Sequence, residues 1–539
     1  MKKILFLLNL TLTSSTLFAY HIAESDTTDK SIFGNAAIPA KMLSAKHEWN
    51  DNNMRGALII YREVLELDPQ NAQALYWIAR CHYSLKSYDL AQEYLDKSLS
   101  IDPEIDKDVS FFQGQIYHRL SKLDKAMETY KAFIKDNEGK NTYETTHANQ
   151  YLNECVFAKE MMNKPADVNI TNLGTTINTR FDEYCPSITG NGELMVFTSR
   201  RSTTVGGEID EGSDYKFFED VYYSRKDRDG NWSKAFGVDG EVNTPTYDAV
   251  LSIAPDGSEM FIYKNNKNSQ GDIFSSSYDR HEDSWRAPEK LPRPVNTSYF
   301  ESSASITADG EKLYFVSERE GGYGQGDIYF SKKTNDGWGK PKNLGTVINT
   351  DLDEKFVFIH PNGKTLYFAS NGHQCLGGYD IFKTEFLNGQ WSIPVNLGYP
   401  INTVNEESTF SLTKDNKTMY IAAEYGDTYG ERDIYSIDVS NYPLISAGYE
   451  SSGYGTLILN LKDAEGKVLK GEELKITLKD TGRVIAIQKS DRAGMVRINL
   501  PSGQRYLVES TDKEGSSTVI ELAPSANKSQ LIKQDFVMK

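Results

Sequence analysis

Glu183, Asp248, Glu301, Glu354 and Glu407 each stand five residues after an Asn that opens a repeated phrase: Asn178, Asn243, Asn296, Asn349 and Asn402. Carboxylates gathered at one mouth repel unless basic side chains, backbone donors or a cation neutralise them. Arg200, Lys264 and Arg319 stand where such bases are expected. Two roles follow. The acids brace the repeats through loop donors, or they form a binding site for a cation or a basic peptide together with Arg200 and Arg319. Bracing is the expectation, because motif-wide repetition serves the fold.

Other chemistry has little support. No nucleophile, base and orienter assemble from the motifs, and no Gly-rich phosphate loop precedes a helix. Cys81, Cys155, Cys185 and Cys375 show neither CxxC nor Cys/His ligand spacing, so they read as buried small apolar side chains. No catalytic residue, metal or cofactor is expected, and a binding protein is the better class. With 59 basic against 76 acidic residues and a net charge of −17, nucleic acid and anionic lipid are unfavourable partners.

The elements that must position the acids are legible as repeats. Trp232, Trp285, Trp338 and Trp391 are separated by a constant interval, and around them the chain rewrites one unit. Each copy has a lead-in such as Asn-Leu-Gly-x-x-Ile-Asn-Thr, two short strands, a Gly-rich loop, an Asp-initiated third strand and a Gly-x-Trp hairpin. Asp220, Asp272, Asp327, Asp380 and Asp433 begin the third strands, which gives five copies. Four short strands per copy predict a β-propeller of five blades over 167–442. The fifth copy lacks its fourth strand, whereas Val168 to Gly174 matches the end of one, so this segment is expected to close the ring and remove an exposed edge. Lead-ins and Gly-rich loops then share one face. The longest excursion, Arg201 to Glu219, is acidic and ends in two Phe, and is a candidate contact element.

Before the propeller, Asp68-Pro69 and Asp102-Pro103 mark a helical-repeat period over 38–165. Ala45, Ala79 and Gly114 are the expected close-contact positions of the first helices, and Ala57, Ala91 and Ala126 those of the second. Tyr61, Leu95 and Tyr130 follow one turn later on the same face. After the propeller, 450–539 alternates apolar and polar residues between Gly-containing turns, predicting a small antiparallel β-sandwich. The chain is therefore multidomain: an all-α helical repeat array, an all-β five-bladed propeller, then a small β-sandwich.

Lys2, Lys3 and an apolar run from Ile4 to Phe18 read as a signal peptide over 1–19, too short and interrupted to span a bilayer. The mature chain is expected to be soluble and to begin near Tyr20, in the periplasm, any outer-membrane association being peripheral. No later segment reads as a transmembrane span.

The helical units resemble tetratricopeptide repeats. The phrase "SITADGEKLYFVSEREGGYGQGDIYFSKK" resembles the WD-repeat-like motif of TolB-type propellers. Gly455, Gly466, Thr481-Gly482, Asp491, Gly494 and Leu500-Pro501-x-Gly503 resemble the carboxypeptidase regulatory-like domain, without its peptidase. In this order the parts are similar to the PorE-like periplasmic component of the Bacteroidetes type IX secretion machinery, although that family's lipid-bearing Cys and OmpA-like peptidoglycan-binding domain are not read in this sequence. The resemblance implies a non-catalytic periplasmic scaffold that holds envelope or secretion-system proteins. The alternative is a glycan-binding, or less favourably glycan-cleaving, propeller.

Overall fold

The computed structural model describes residues 29–210, 214–266, 269–446, 454–479, 483–501, 504–510, 516–522 and 530–538. The expected signal peptide, 1–19, lies outside the described residues, as do Thr481-Gly482 and Gly503. The chain divides into two compact units, 1–109 with 212–214, and 110–211 with 215–539.

Among the described residues seven helices precede the propeller, with tetratricopeptide-like pairing within each compact unit. The first unit holds α1 (Asp29–Asn50), α2 (Met54–Leu67), α3 (Ala72–Ser84) and α4 (Tyr88–Ile101). Asn53 and Asn71 cap α2 and α3 by accepting the backbone N–H three residues on, a donor with no partner inside the helix. Ala45, Ala57, Tyr61, Ala79, Ala91 and Leu95 are all buried, as their register predicts. Trp77 lies parallel to Tyr61 at 6.2 Å and edge-on to Trp49 at 5.3 Å.

The second unit begins with α5 (Val109–Arg119), α6 (Leu123–Asp136) and α7 (Tyr143–Met162). Gly114 occupies the position that Ala45 and Ala79 fill in earlier repeats, and the reason is steric: a Cβ there would come within 2.6 Å of the Tyr130 ring. The apolar cluster of α5 to α7, with Phe111, Tyr130, Phe133 and Ala158, continues without a break into Leu376 and Val404 of the propeller. These three helices are thus part of the propeller's own compact unit.

Five antiparallel sheets follow. Blade one uses Glu183–Ile188, Leu194–Ser199, Asp220–Arg225 and Phe236–Gly237. Blade two uses Tyr247–Ile253, Glu259–Asn266, Ser269–Asp279 and Glu289–Lys290, and blade three Glu301–Ile306, Lys312–Ser317, Asp327–Thr334 and Lys342–Asn343. Blade four uses Glu354–Ile359, Thr365–Ser370, Asp380–Leu387 and Val395–Asn396. Blade five has Thr409–Leu412, Thr418–Ala423 and Asp433–Asp438, and its outer strand is Asn169–Asn172, paired antiparallel from Asn169 opposite Asp438 to Asn172 opposite Tyr435. The closing strand therefore lies where the incomplete fifth copy required it.

The repeated Trp side chains pack between blades. Trp232 of blade one meets Tyr420 of blade five edge-on at 5.7 Å, and Trp391 of blade four meets Tyr314 of blade three at 6.2 Å. Blade five has no such Trp, and Tyr442 and the buried Ile445, just after its last strand, join the cluster of blades four and five instead.

Two sheets form the carboxy-terminal domain: Met495–Pro501, Tyr454–Asp463 and Gln530–Met538 in one, Arg483–Lys489, Glu473–Leu478, Gln504–Ser510 and Ser517–Leu522 in the other. One expectation fails here, because Tyr454–Asp463 and Gln530–Met538 run parallel. Alternation of side chains fixes which face is buried and carries no information about strand direction. Ile393 of blade four is buried in the sandwich core beside Leu457, Ile498 and Leu500. Asn499 ties the two together, accepting from Ile393 N at 3.0 Å and donating to Leu387 O at 3.0 Å.

Candidate functional site at the propeller mouth

Each lead-in acid is held by the Thr four residues before it. Glu183, Glu301, Glu354 and Glu407 accept from the backbone N and Oγ1 of Thr179, Thr297, Thr350 and Thr403, and Asp248 from those of Thr244. Ser199, Ser317 and Ser370, opposite on the second strand, donate a further bond in blades one, three and four. In blade two Lys264 fills that place and reaches Asp248 at 2.5 Å. All five acids are buried.

Bases complete some of these arrangements. Arg319 lies 3.3 Å from Glu301, as expected. Arg200 does not serve Glu183: its Nε donates to Phe217 O, and Arg201 pairs with Glu183 at 3.2 Å. The reason is register, since Arg201 and Arg319 each stand two residues past the serine that faces the acid, and side chains two apart share a face. In blade four that place is Gly372, where a Cβ would fall 1.9 Å from Thr350 Oγ1. Glu354 thus has no ion pair among the described residues, and burial pushes its carboxyl up to about 7.

The Asn that opens each lead-in joins neighbouring blades. Asn243, Asn296, Asn349 and Asn402 accept from the N–H and donate to the C=O of Val221, Ile273, Ile328 and Ile381, the residues after the third-strand Asp of the preceding blade. Asn178 does the same to Ile434 across the ring closure. Asn and acid therefore make one inter-blade staple, with the oxygens of the acid already occupied by internal donors.

Lead-ins and Gly-rich loops do share a face. Gln325 N donates to Leu352 O at 2.7 Å and Gly378 N to Asn405 O at 2.9 Å. Gly324 and Gly377 permit that approach, because a Cβ on either would sit about 2 Å from a lead-in carbonyl, 1.9 Å and 2.0 Å. The long excursion of blade one folds back, with Phe217 edge-on to Phe181 at 5.3 Å and Phe218 to Tyr247 at 5.0 Å, while Val205 and Ile209 remain exposed.

Over blades three to five the mouth is covered by α5 and α7. His118 Nε2 bonds Leu376 O at 2.7 Å; burial and Arg119 push its imidazole down to about 3, so the ring is neutral and carries its proton on that nitrogen. Arg119 Nη1 donates to Val404 O at 2.5 Å. Between these helices and the loops lies a cavity of about 440 Å³. Tyr143, His147, Tyr151 and Glu154 of α7 form one wall, and Asp353, Asn371, Tyr379 and Glu406 of the propeller another. Asp353 is held by Tyr379 Oη at 2.6 Å and Gly326 N at 3.0 Å. Glu154 is only 6% exposed; Gln150 donates to its Oε1 at 2.8 Å, and its Oε2 has no hydrogen-bond partner among the described residues. Burial pushes this carboxyl up to about 7 against the opposing effects of Gln150 and Arg119. None of the five lead-in acids lines this cavity.

The cavity residues escape sequence reasoning because the two walls come from distant segments joined only by tertiary packing. The one available signal was the extension of the helical pattern to Met162, directly before the closing strand.

The family described as anaphase-promoting complex, cyclosome, subunit 3 matches residues 50–133, on the helical repeats. No curated protein matches the chain. Among solved structures, TolB from Acinetobacter baumannii is 14% identical over 55% of this chain and 70% of its own, with a TM-score of 0.32. The α-L-arabinofuranosidase of Podospora anserina in complex with cellotriose is 13% identical over 50% and 92%, TM-score 0.31, and the periplasmic gluconolactonase of Pseudomonas aeruginosa 10% identical over 64% and 86%, TM-score 0.25. These likenesses are too distant to carry a functional argument. The chain resembles these proteins in part, and tetratricopeptide-like repeats joined to a propeller are its architecture.

Proposed function

We propose that this protein is a non-catalytic scaffold of the bacterial cell envelope, holding protein partners through its helices and its propeller mouth. The observation that carries this reading is the cavity between α7 and the loops of blades three to five, where helical repeats and propeller present one continuous polar and aromatic surface. The order of its parts supports a place in or near a type IX secretion machinery, in the periplasm. No helix among the described residues is long and apolar enough to cross a membrane.

A second reading, glycan binding, is favoured by the tyrosine and amide side chains of the same cavity. Affinity capture from envelope extracts with the tagged chain separates the two. Recovery of secretion-machinery or outer-membrane proteins supports the scaffold, and retention that depends on added glycan overturns it.

A further inference from the structure

We propose that the cavity between α7 and the propeller mouth receives an ammonium or guanidinium group on a flexible stem, supplied by a lysine or arginine side chain of a partner polypeptide. This rests on the scaffold reading above.

Charge argues first. Glu154, Asp353 and Glu406 line the cavity against one guanidinium, Arg119, which already donates to the carbonyls of Val404 and Asn405. With Glu154 ionised, a form that an arriving cation favours, a phosphate, sulfate or carboxylate would meet three carboxylates and one guanidinium. The second argument is Glu154 itself. A carboxylate oxygen buried without a donor is costly, and a charged donor removes that cost while gaining a strong bond.

The third argument concerns shape. The carboxyl groups of Glu154, Asp353 and Glu406 come from three separate segments, α7 and two loops of the propeller. Aromatic faces complete the lining. Lys355 Nζ lies 4.7 Å from the centre of the Tyr379 ring, so an ammonium already sits against one of these rings, and the exposed Tyr143 presents another.

The test is calorimetric titration of the full chain with the amidated peptide acetyl-Gly-Ser-Lys-Ser-Gly, its Nε-acetyl-lysine counterpart, n-butylamine and cellotriose. The lysine peptide is expected to bind and the acetylated one not to. Glu154→Gln should weaken the lysine peptide at least about tenfold. Tyr143→Ala, an exposed position whose change leaves the fold alone, should weaken it severalfold. Binding of the peptide more tightly than butylamine places the cation on a polypeptide; equal affinity overturns that assignment in favour of a free small amine. No binding at about 10 mM peptide, equal binding by Glu154→Gln, or binding of cellotriose alone overturns the proposal. Envelope capture with the same variant keeps the two readings apart. If wild type and Glu154→Gln retain the same proteins while the peptide does not bind, the cavity assignment falls and the scaffold stands; if neither retains any protein, the scaffold falls.

Discussion

Asn402 joins both atoms of its amide to the backbone of Ile381, and Glu407 collects the two donors of Thr403; at the scale of single residues this molecule is a set of repeated, saturated polar contacts. Removing one member leaves buried donors without acceptors. Glu301→Ala strands Thr297 and Ser317 and takes from Arg319 its counter-charge, leaving it Ser317 and the carbonyls of Pro294 and Val295, and should cost about 3 kcal/mol in thermal or denaturant unfolding. Millimolar Ca²⁺ should leave the unfolding midpoint of the wild type unchanged, because the carboxylate oxygens are already engaged; a rise would show that a cation displaces these donors. Glu154 should behave in the opposite way. Its folded carboxyl titrates near 7 and its unfolded one near the ordinary glutamate value, so between these the native state keeps a proton that the unfolded chain has lost. Stability conferred by the neutral form is therefore lost as pH rises through that window. Arg119 of α5 opposes this shift, and buried Asp380 of blade four feels the charge once it appears. Glu154→Gln should accordingly be more stable than wild type at pH 8, by at most about 3 kcal/mol, and nearly equal at pH 4, when midpoints are compared across pH.

Among the elements, Asn169–Asn172 closes the ring, since without it the last strand of blade five is an open edge. A chain that begins at Thr179 should unfold at a lower temperature than one that begins at Asp167, or aggregate; equal midpoints would refute closure by this strand. Asn172 shows why. It donates to Asp433 at 2.8 Å and accepts from Asn178 at 2.8 Å, as Asn396 does with Asp380 and Asn402 in blade four. That likeness was visible in the sequence because a repeat displays its own missing piece, and the five acids were visible for the same reason. Arg201 was not legible as the base beside Glu183 because register two residues past a serine is set by the strand end, which a repeat with an insertion obscures. Parallel pairing of Tyr454–Asp463 with Gln530–Met538 was illegible, since alternation is the same in either direction. Glu154 and Asp353 were illegible as a pair of walls because nothing in either segment records that α7 lies over blade four.

For the whole molecule, the sandwich and the propeller share a core through Ile393 and a polar bridge through Asn499, which is fully buried and also accepts from Thr456 at 2.7 Å. Asn499→Ala, which keeps the backbone bond to Ile393 and removes the side-chain bond to Leu387, should split a joint calorimetric unfolding transition into two, the sandwich melting first; a single unshifted transition would show that the side-chain part of the bridge is dispensable. Ring closure has a further consequence, one of time. Ser436, which meets Thr171, stands 265 positions after it in the chain, so the ring's first strand waits for its last. Until the fifth blade exists, the first blade and the newest one each lack a neighbour, and contacts of such long sequence separation are slow to form. Synthesis from the amino end can complete α5 to α7 early, with the latch strand held just beyond them, while the ring itself assembles only after the chain is nearly all present. A protein built this way is exposed to misassembly for most of its synthesis and, once latched, has no end from which to fray.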